Sequence, residues 1–176
     1  METESNHNTH IDGNVEKLTQ IGEVKGDIII QQGEDTEKLL KNGIQLIRVG
    51  AYEQAISILT EVIRLAPLTS DSYYYLALAL LKGKRPKLST LAQIENIEQN
   101  IQTACRLNEN AAHYYYLWAL VKYDFYVLNG FLLRPPKIEE LLLAGRQSLQ
   151  DSSLILEMFE QMKGANTQLI KVILGE

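Results

Sequence analysis

Cysteine is almost missing from this chain. Cys105 stands alone among 176 residues, so no disulfide can form within the chain, and its apolar helical surroundings read as those of a buried thiol. No run approaches the roughly 20 apolar residues that a bilayer-spanning helix needs. The opening Met1-Glu2-Thr3-Glu4-Ser5-Asn6 has neither the basic nor the apolar part of a secretory signal. Membranes are set aside on these grounds, and a cytoplasmic location is expected. Positive charge is also in short supply, with 17 lysines and arginines against 22 acids and a net charge of −5. That balance argues against a broad nucleic-acid face.

Histidine is nearly as scarce, and two of the three, His7 and His10, fall in the polar opening stretch. Nucleophilic chemistry needs a nucleophile, a base and an orienting group brought together. Only His113 is left to supply the base, and it reads as a helix-start residue beside a tyrosine run. No cysteine and histidine spacing suits a metal, and no glycine run leads into the lysine and hydroxyl residue of a phosphate loop. Glu139, Glu140, Glu157 and Glu160 lie on amphipathic stretches and read as solvated faces. The chain is expected to be no enzyme and to use no cofactor or metal.

What is present in quantity is apolar side chains, 45% of the chain, enough for one continuous core. Their spacing divides the sequence into four stretches. Residues 1–14 are polar, without periodic apolar positions, and read as a disordered tail. Residues 15–34 carry the β-branched run Ile28, Ile29 and Ile30 between Gly22, Gly26 and Gly33, the pattern of a β-prone segment or hairpin turning near Lys25-Gly26-Asp27. Residues 35–149 switch to helical periodicity, and residues 150–176 read as capping helices.

In the helical stretch, Leu39, Leu40, Gly43, Leu46 and Ile47 predict a helix that stops at Val49-Gly50. Tyr52 to Ile63 predicts a second, ended by Pro67, which has no amide hydrogen to continue it. Further helices are expected from Tyr73 to near Gly83, from about Thr90 to Leu107, and from near Asn110. The string Tyr-Tyr-Tyr-Leu occurs at 73–76 and again at 114–117. The same offset carries Ile97 onto Ile138, Ile101 onto Leu142 and Ala104 onto Gly145, which marks an internal repeat. Pro135-Pro136 suits the start of a helix at about 137–149, while Asp151 or Ser152 and Asn166 or Thr167 are placed to cap two more.

Residues 36–69 resemble a tetratricopeptide repeat. Leu39 takes its first large apolar position and Gly43 the small position where two helices approach. Gly50 and Tyr52 form its turn, and Ala55, Leu59 and Pro67 match the second helix and its end. Two later units resemble it less completely. Tyr73, Leu76 and Ala77 pair with Ile97, Ile101 and Ala104, and Tyr114, Leu117 and Trp118 pair with Ile138, Leu142 and Gly145, with Trp118 where the family has a small residue. Each later unit carries an extra stretch, near Arg85-Pro86 or Arg134-Pro135, that is either a lengthened helix or a longer connection.

The resemblance implies an all-α fold of antiparallel helix pairs stacked as a short right-handed solenoid, whose first helices line a concave groove. It implies a protein–protein interaction adaptor that takes a protein or peptide partner through Leu40, Ile44, Arg48, Tyr74, Leu78, Lys82, Tyr115, Lys122 and Tyr123. Tyr74, Tyr115 and Tyr123 would anchor an amphipathic segment, and Arg48, Lys82 or Lys122 would pair with its acids. The opposite reading has the tyrosines packed between helices and the groove covered by the chain's own terminal segments. Successive helical residues turn by about 100°, so neither tyrosine triplet can face one way.

The tetrad Thr19-Gln20-Ile21-Gly22 looks like the short motif of signalling amyloids of the RIP homotypic interaction kind, and Gln31-Gln32-Gly33 echoes its composition. With Ile28, Ile29 and Ile30, that likeness implies a homo-oligomer assembled through residues 15–34. A plain hairpin packed on the helices, or strand addition to a partner's sheet, are the other readings. Helical repeats joined to such motifs are associated with bacterial signalling and conflict systems, an association of architecture alone.

Overall fold

A computed structural model describes residue 33, residues 35–162 and residues 167–175. The expected tail and the assembly residues Thr19, Gln20, Ile21, Gly22, Ile28, Ile29 and Ile30 lie outside the described residues. The chain divides into two compact units, 1–37 and 38–176, and the second carries the features that follow.

The first helix, α1, covers residues 35–48. It is followed by α2 (Tyr52–Leu65), α3 (Ser70–Leu81), α4 (Leu91–Leu107), α5 (Ala112–Lys122), α6 (Ile138–Gln147), α7 (Ser152–Gln161) and α8 (Thr167–Leu174). Among the described residues there is no strand, only an isolated bridge between Ala111 and Leu149. The described fold is all-α. Its breaks fall at residues whose chemistry explains them. Gly50 takes the left-handed backbone conformation after α1, with φ of 80°, which costs a glycine nothing. Thr90 opens α4 with a reciprocal cap: its hydroxyl accepts from the Gln93 amide at 3.3 Å, and the Gln93 side chain accepts from the Thr90 amide at 2.8 Å. Asp151 caps α7 by accepting from the Ser153 and Leu154 amides.

Two kinds of helix result. Along α2 only Ala55, Leu59 and Val62 are buried, and along α4 only Ile94, Ile97, Ile101, Ala104 and Cys105. Each presents one apolar stripe to the core and a polar back to water. By contrast, α3 buries Ser72 and every residue from Tyr74 to Ala79, and α5 buries every residue except Tyr115. Helices apolar all round must be enclosed, and α3 and α5 are. The other helices wrap them: α3 packs on α2 and α4, and α5 on α4, α6 and α7.

Small residues set the closest approaches. A Cβ on Gly43 would come within 2.9 Å of the Leu59 side chain, and one on Gly145 would collide with the Tyr116 ring. The end of α6 is tied back to the start of α5, where the Leu149 amide donates to the Asn110 carbonyl at 2.9 Å. The two extra stretches have different solutions. The first is a connection holding a 3-10 turn at Pro86–Leu88. The second begins by continuing α5 through a π-helical segment, Tyr123–Val127, whose wider turn buries Asp124, Phe125 and Tyr126 in succession.

The packing at Gly145 yields a stability prediction. Gly145→Ala forces a methyl into the Tyr116 ring and should lower the unfolding free energy by about 1–3 kcal/mol, read from urea denaturation, despite alanine's better helix propensity. An unchanged or raised midpoint would show that the contact is loose.

Candidate functional site

The face on which α1, α3 and α5 were expected to offer a groove is occupied. Arg48 at the end of α1 donates from Nε and Nη2 to the two carboxylate oxygens of Glu157, at 3.0 and 3.1 Å. Glu157 belongs to α7, which packs on α5. Its charge also acts on Tyr75, whose hydroxyl is pushed up first by burial and then by Glu157. Glu157 therefore lies near both Arg48 of α1 and Tyr75 of α3, and Ile155 and Met158 of the same helix are buried in the core that holds Ile47, Tyr74 and Leu78. A planar guanidinium meeting a carboxylate with two parallel bonds fixes orientation as well as proximity. Glu157, expected on a solvated face, is instead this helix's polar contact, and 16% of its side chain remains exposed.

The residues expected to meet a partner are consequently dispersed. Tyr74 is 1% exposed, Leu78 2% and Lys122 2%, so these three offer no surface, and the partner-touching roles expected of them are corrected to interior ones. The physical reason is that neighbouring helices cover α3 and α5 over most of their surface, these positions included. Leu40, Ile44, Tyr115 and Tyr123 are half-buried and pack against the core. Tyr115 points toward α4: burial raises its hydroxyl pKa, and Cys105 and Glu109 add to the effect. Lys82 ends α3 in the left-handed conformation, with φ of 51°, and pairs with Glu53 of α2. Arg48, Lys82 and Lys122, expected to pair with a partner's acids, each pair with an acid of the same chain, Glu157, Glu53 and Glu98.

Inside, the polar groups other than His113 Nδ1 are satisfied by one another. The Tyr74 and Tyr114 rings stack with centroids 5.0 Å apart, and His113 meets both edge-on at 4.7 and 4.5 Å. The Tyr114 hydroxyl donates to the Asp71 carboxylate and lies 3.2 Å from Ser70 Oγ. Farther along α5, Glu98 of α4 accepts from Trp118 Nε1 at 2.8 Å, from Lys122 Nζ at 3.3 Å and from the Tyr126 hydroxyl at 2.7 Å. Lys122 also lies over the Trp118 and Tyr126 rings, 5.7 and 5.5 Å from their centroids. A buried ammonium is costly unless paired. Here one carboxylate and two aromatic faces hold it.

No protein-family model, curated protein or solved structure matches the chain. The tetratricopeptide likeness therefore rests on its own residues. Among the described residues no cluster of histidine, cysteine and carboxylates is built to hold a metal, and burial pushes the Cys105 thiol up to about 12, so it stays protonated. Besides the face that α7 fills, an open cleft of about 390 Å³ runs between α2 and α4, floored by Ile56, Ile63, Leu76 and Leu80 and edged by Asn96 and Asn100. Glu98 escaped the sequence reading, and the pairing of Glu157 with Arg48 did too, because each meets its partner from a different helix.

His113 is the weak point of this interior. It is 5% exposed, and its Nδ1 has no hydrogen-bond partner among the described residues. Burial lowers its pKa, and Asp71, Asp151 and Glu157 only partly oppose the shift. The unfolded chain takes up the proton near 6.5 while the folded chain does so only at lower pH. Stability is thus intact above about 6.5 and declines as the pH falls below it. Between about pH 7.5 and about pH 5.5, thermal melts of the wild type should lose more midpoint than those of His113→Phe. Equal losses would show that the imidazole is not desolvated.

Proposed function

We propose that the protein is a cytoplasmic, non-enzymatic adaptor that binds an amphipathic helical segment of a partner protein on the α1–α3–α5 face, in the place of its own α7. The helix pairs stack as a short tetratricopeptide-like right-handed solenoid, and α7 lies in its groove as a stand-in ligand. One observation carries the reading: α7 is amphipathic, buries Ile155 and Met158 in the shared core, and is tied to the end of α1 by the two-bond Arg48–Glu157 pair. The partner class follows from that arrangement. It is a helix with two apolar residues on one side and an acid beside them, the groove mode of helix recognition.

A tethered α7 competes with any partner at the high effective concentration that tethering gives. The Arg48 side chain is 53% exposed, and exposed ion pairs contribute about 0.2–1 kcal/mol. The ion pair is therefore the weak part of the latch, and the buried Ile155 and Met158 hold the rest.

The test uses a labelled peptide with the sequence of residues 151–162, titrated by fluorescence anisotropy. Glu157→Lys sets two cations face to face and frees the groove, so this variant should bind the peptide about tenfold tighter than the wild type, a change of about 1.4 kcal/mol. Adding Arg48→Glu should remove that gain. If neither protein binds the peptide, or if Arg48→Glu changes nothing, the groove reading fails.

A further inference from the structure

The two extra stretches that interrupt the second and third helix pairs meet at one corner. Arg85 forms an ion pair with the buried Asp124, and the Lys87 amide donates to the same carboxylate at 2.9 Å. Asn129 Nδ2 donates to the Lys87 carbonyl at 3.2 Å. The connection after α3 is thereby pinned against the π-helical end of α5 and the stretch that follows it. In repeat proteins such insertions collect on one face, often the binding face.

The corner combines two properties. It is apolar: Leu88 is 76% exposed, Phe131 55% and Leu132 85%, with Val127 beside them. Large apolar side chains grouped in water on a pinned backbone mark a contact surface. It is also basic. From Lys82 to Leu91 the chain carries Lys82, Lys84, Arg85 and Lys87 and no acid, and from Phe125 to Ile138 it carries Arg134 and Lys137 and no acid. Lys82 and Arg85 are paired with Glu53 and Asp124, and Arg134 lies 3.7 Å from Glu95. Lys84 and Lys87 have no ion pair among the described residues. Glu139 and Glu140 follow directly after Ile138, so the unopposed positive charge of the corner rests on Lys84 and Lys87.

We propose that this corner docks on an anionic lipid surface. Leu88, Phe131 and Leu132 enter the boundary between head groups and acyl chains, while Lys84, Lys87, Arg134 and Lys137 lie in the phosphate layer. Charge complementarity selects an anionic partner, and the protruding side chains select a fluid one. A protein groove would need seats shaped to all three apolar residues, whereas a lipid boundary takes them without any. Docking of this kind needs no membrane-crossing helix, and none of the described helices is long and apolar enough to be one. The sequence reading set membranes aside because it weighed spans and overall charge, and neither reports on a local corner. The site is separate from the face filled by α7.

Flotation of the full chain with vesicles tests the proposal, using phosphatidylcholine alone and phosphatidylcholine with about a third phosphatidylserine. The bound fraction should be at least about tenfold higher on the anionic vesicles and should fall away as salt rises from about 0.05 M to about 0.5 M. Leu88→Asp with Leu132→Asp should abolish flotation without altering the circular dichroism spectrum, because these side chains are 76% and 85% exposed. Lys84→Glu with Lys87→Glu should weaken it about tenfold or more. Glu157→Lys should float like the wild type, which separates this site from the adaptor face. Equal flotation on both vesicles, or aspartate variants that float normally, overturns the proposal. Flotation with neither vesicle overturns it as well and leaves an acidic protein surface as the corner's partner.

Discussion

An α-helix that is apolar on every side has no stable place except between other helices, and two such helices, α3 and α5, lie close enough in this protein for Tyr74 to stack on Tyr114. Helices α2, α4, α6 and α7 pack on one or both of them. The stripes of α2, α4 and α6 cover part of the surface, and the remaining side, toward the end of α1, is closed by α7. Closing it costs the exposure of any groove there. It also brings Glu157 within two hydrogen bonds of Arg48, joining residues 109 positions apart in the chain.

Enclosing two helices also traps the polar groups they carry. Lys122 is held by Glu98 and two aromatic faces, and Asp124 by Arg85 and a backbone amide. Each arrangement removes the cost of burying a charge, which exceeds what most single contacts return. Trp118 belongs to the same solution. A tryptophan at a position where a tetratricopeptide repeat places a small residue needs a partner for its indole N–H, and it donates to Glu98 at 2.8 Å. The polar interior and the departures from the repeat pattern therefore occur together.

Much of the fold was legible because it is written in local chemistry. Gly50, Pro67, the Thr90 cap and the Asp151 cap mark helix ends where they occur, and Gly43 and Gly145 mark close approaches. The site was less legible, since its determinants are not local. The tetratricopeptide resemblance implied that one face of α3 and α5 lines a groove, yet helices apolar all round carry no information about which side a neighbour covers. That Arg48 would meet an acid followed from charge, but the choice of Glu157 depended on where α7 comes to rest. The π-helical segment has no sequence signature beyond its apolar density, so the different solutions at the two extra stretches could not be separated in advance.

Hydroxyl-radical footprinting of the intact chain, resolved residue by residue across Tyr73, Tyr74 and Tyr75, tests the closed face most directly. Closure predicts that half-buried Tyr73 is oxidised while Tyr74 and Tyr75, 1% and 6% exposed, are protected, and that ending the chain after Gln150 uncovers Tyr75. Oxidation of Tyr75 in the intact chain as fast as that of Tyr73 would contradict it, because α7 would then not cover the face from which every functional conclusion about the groove was drawn.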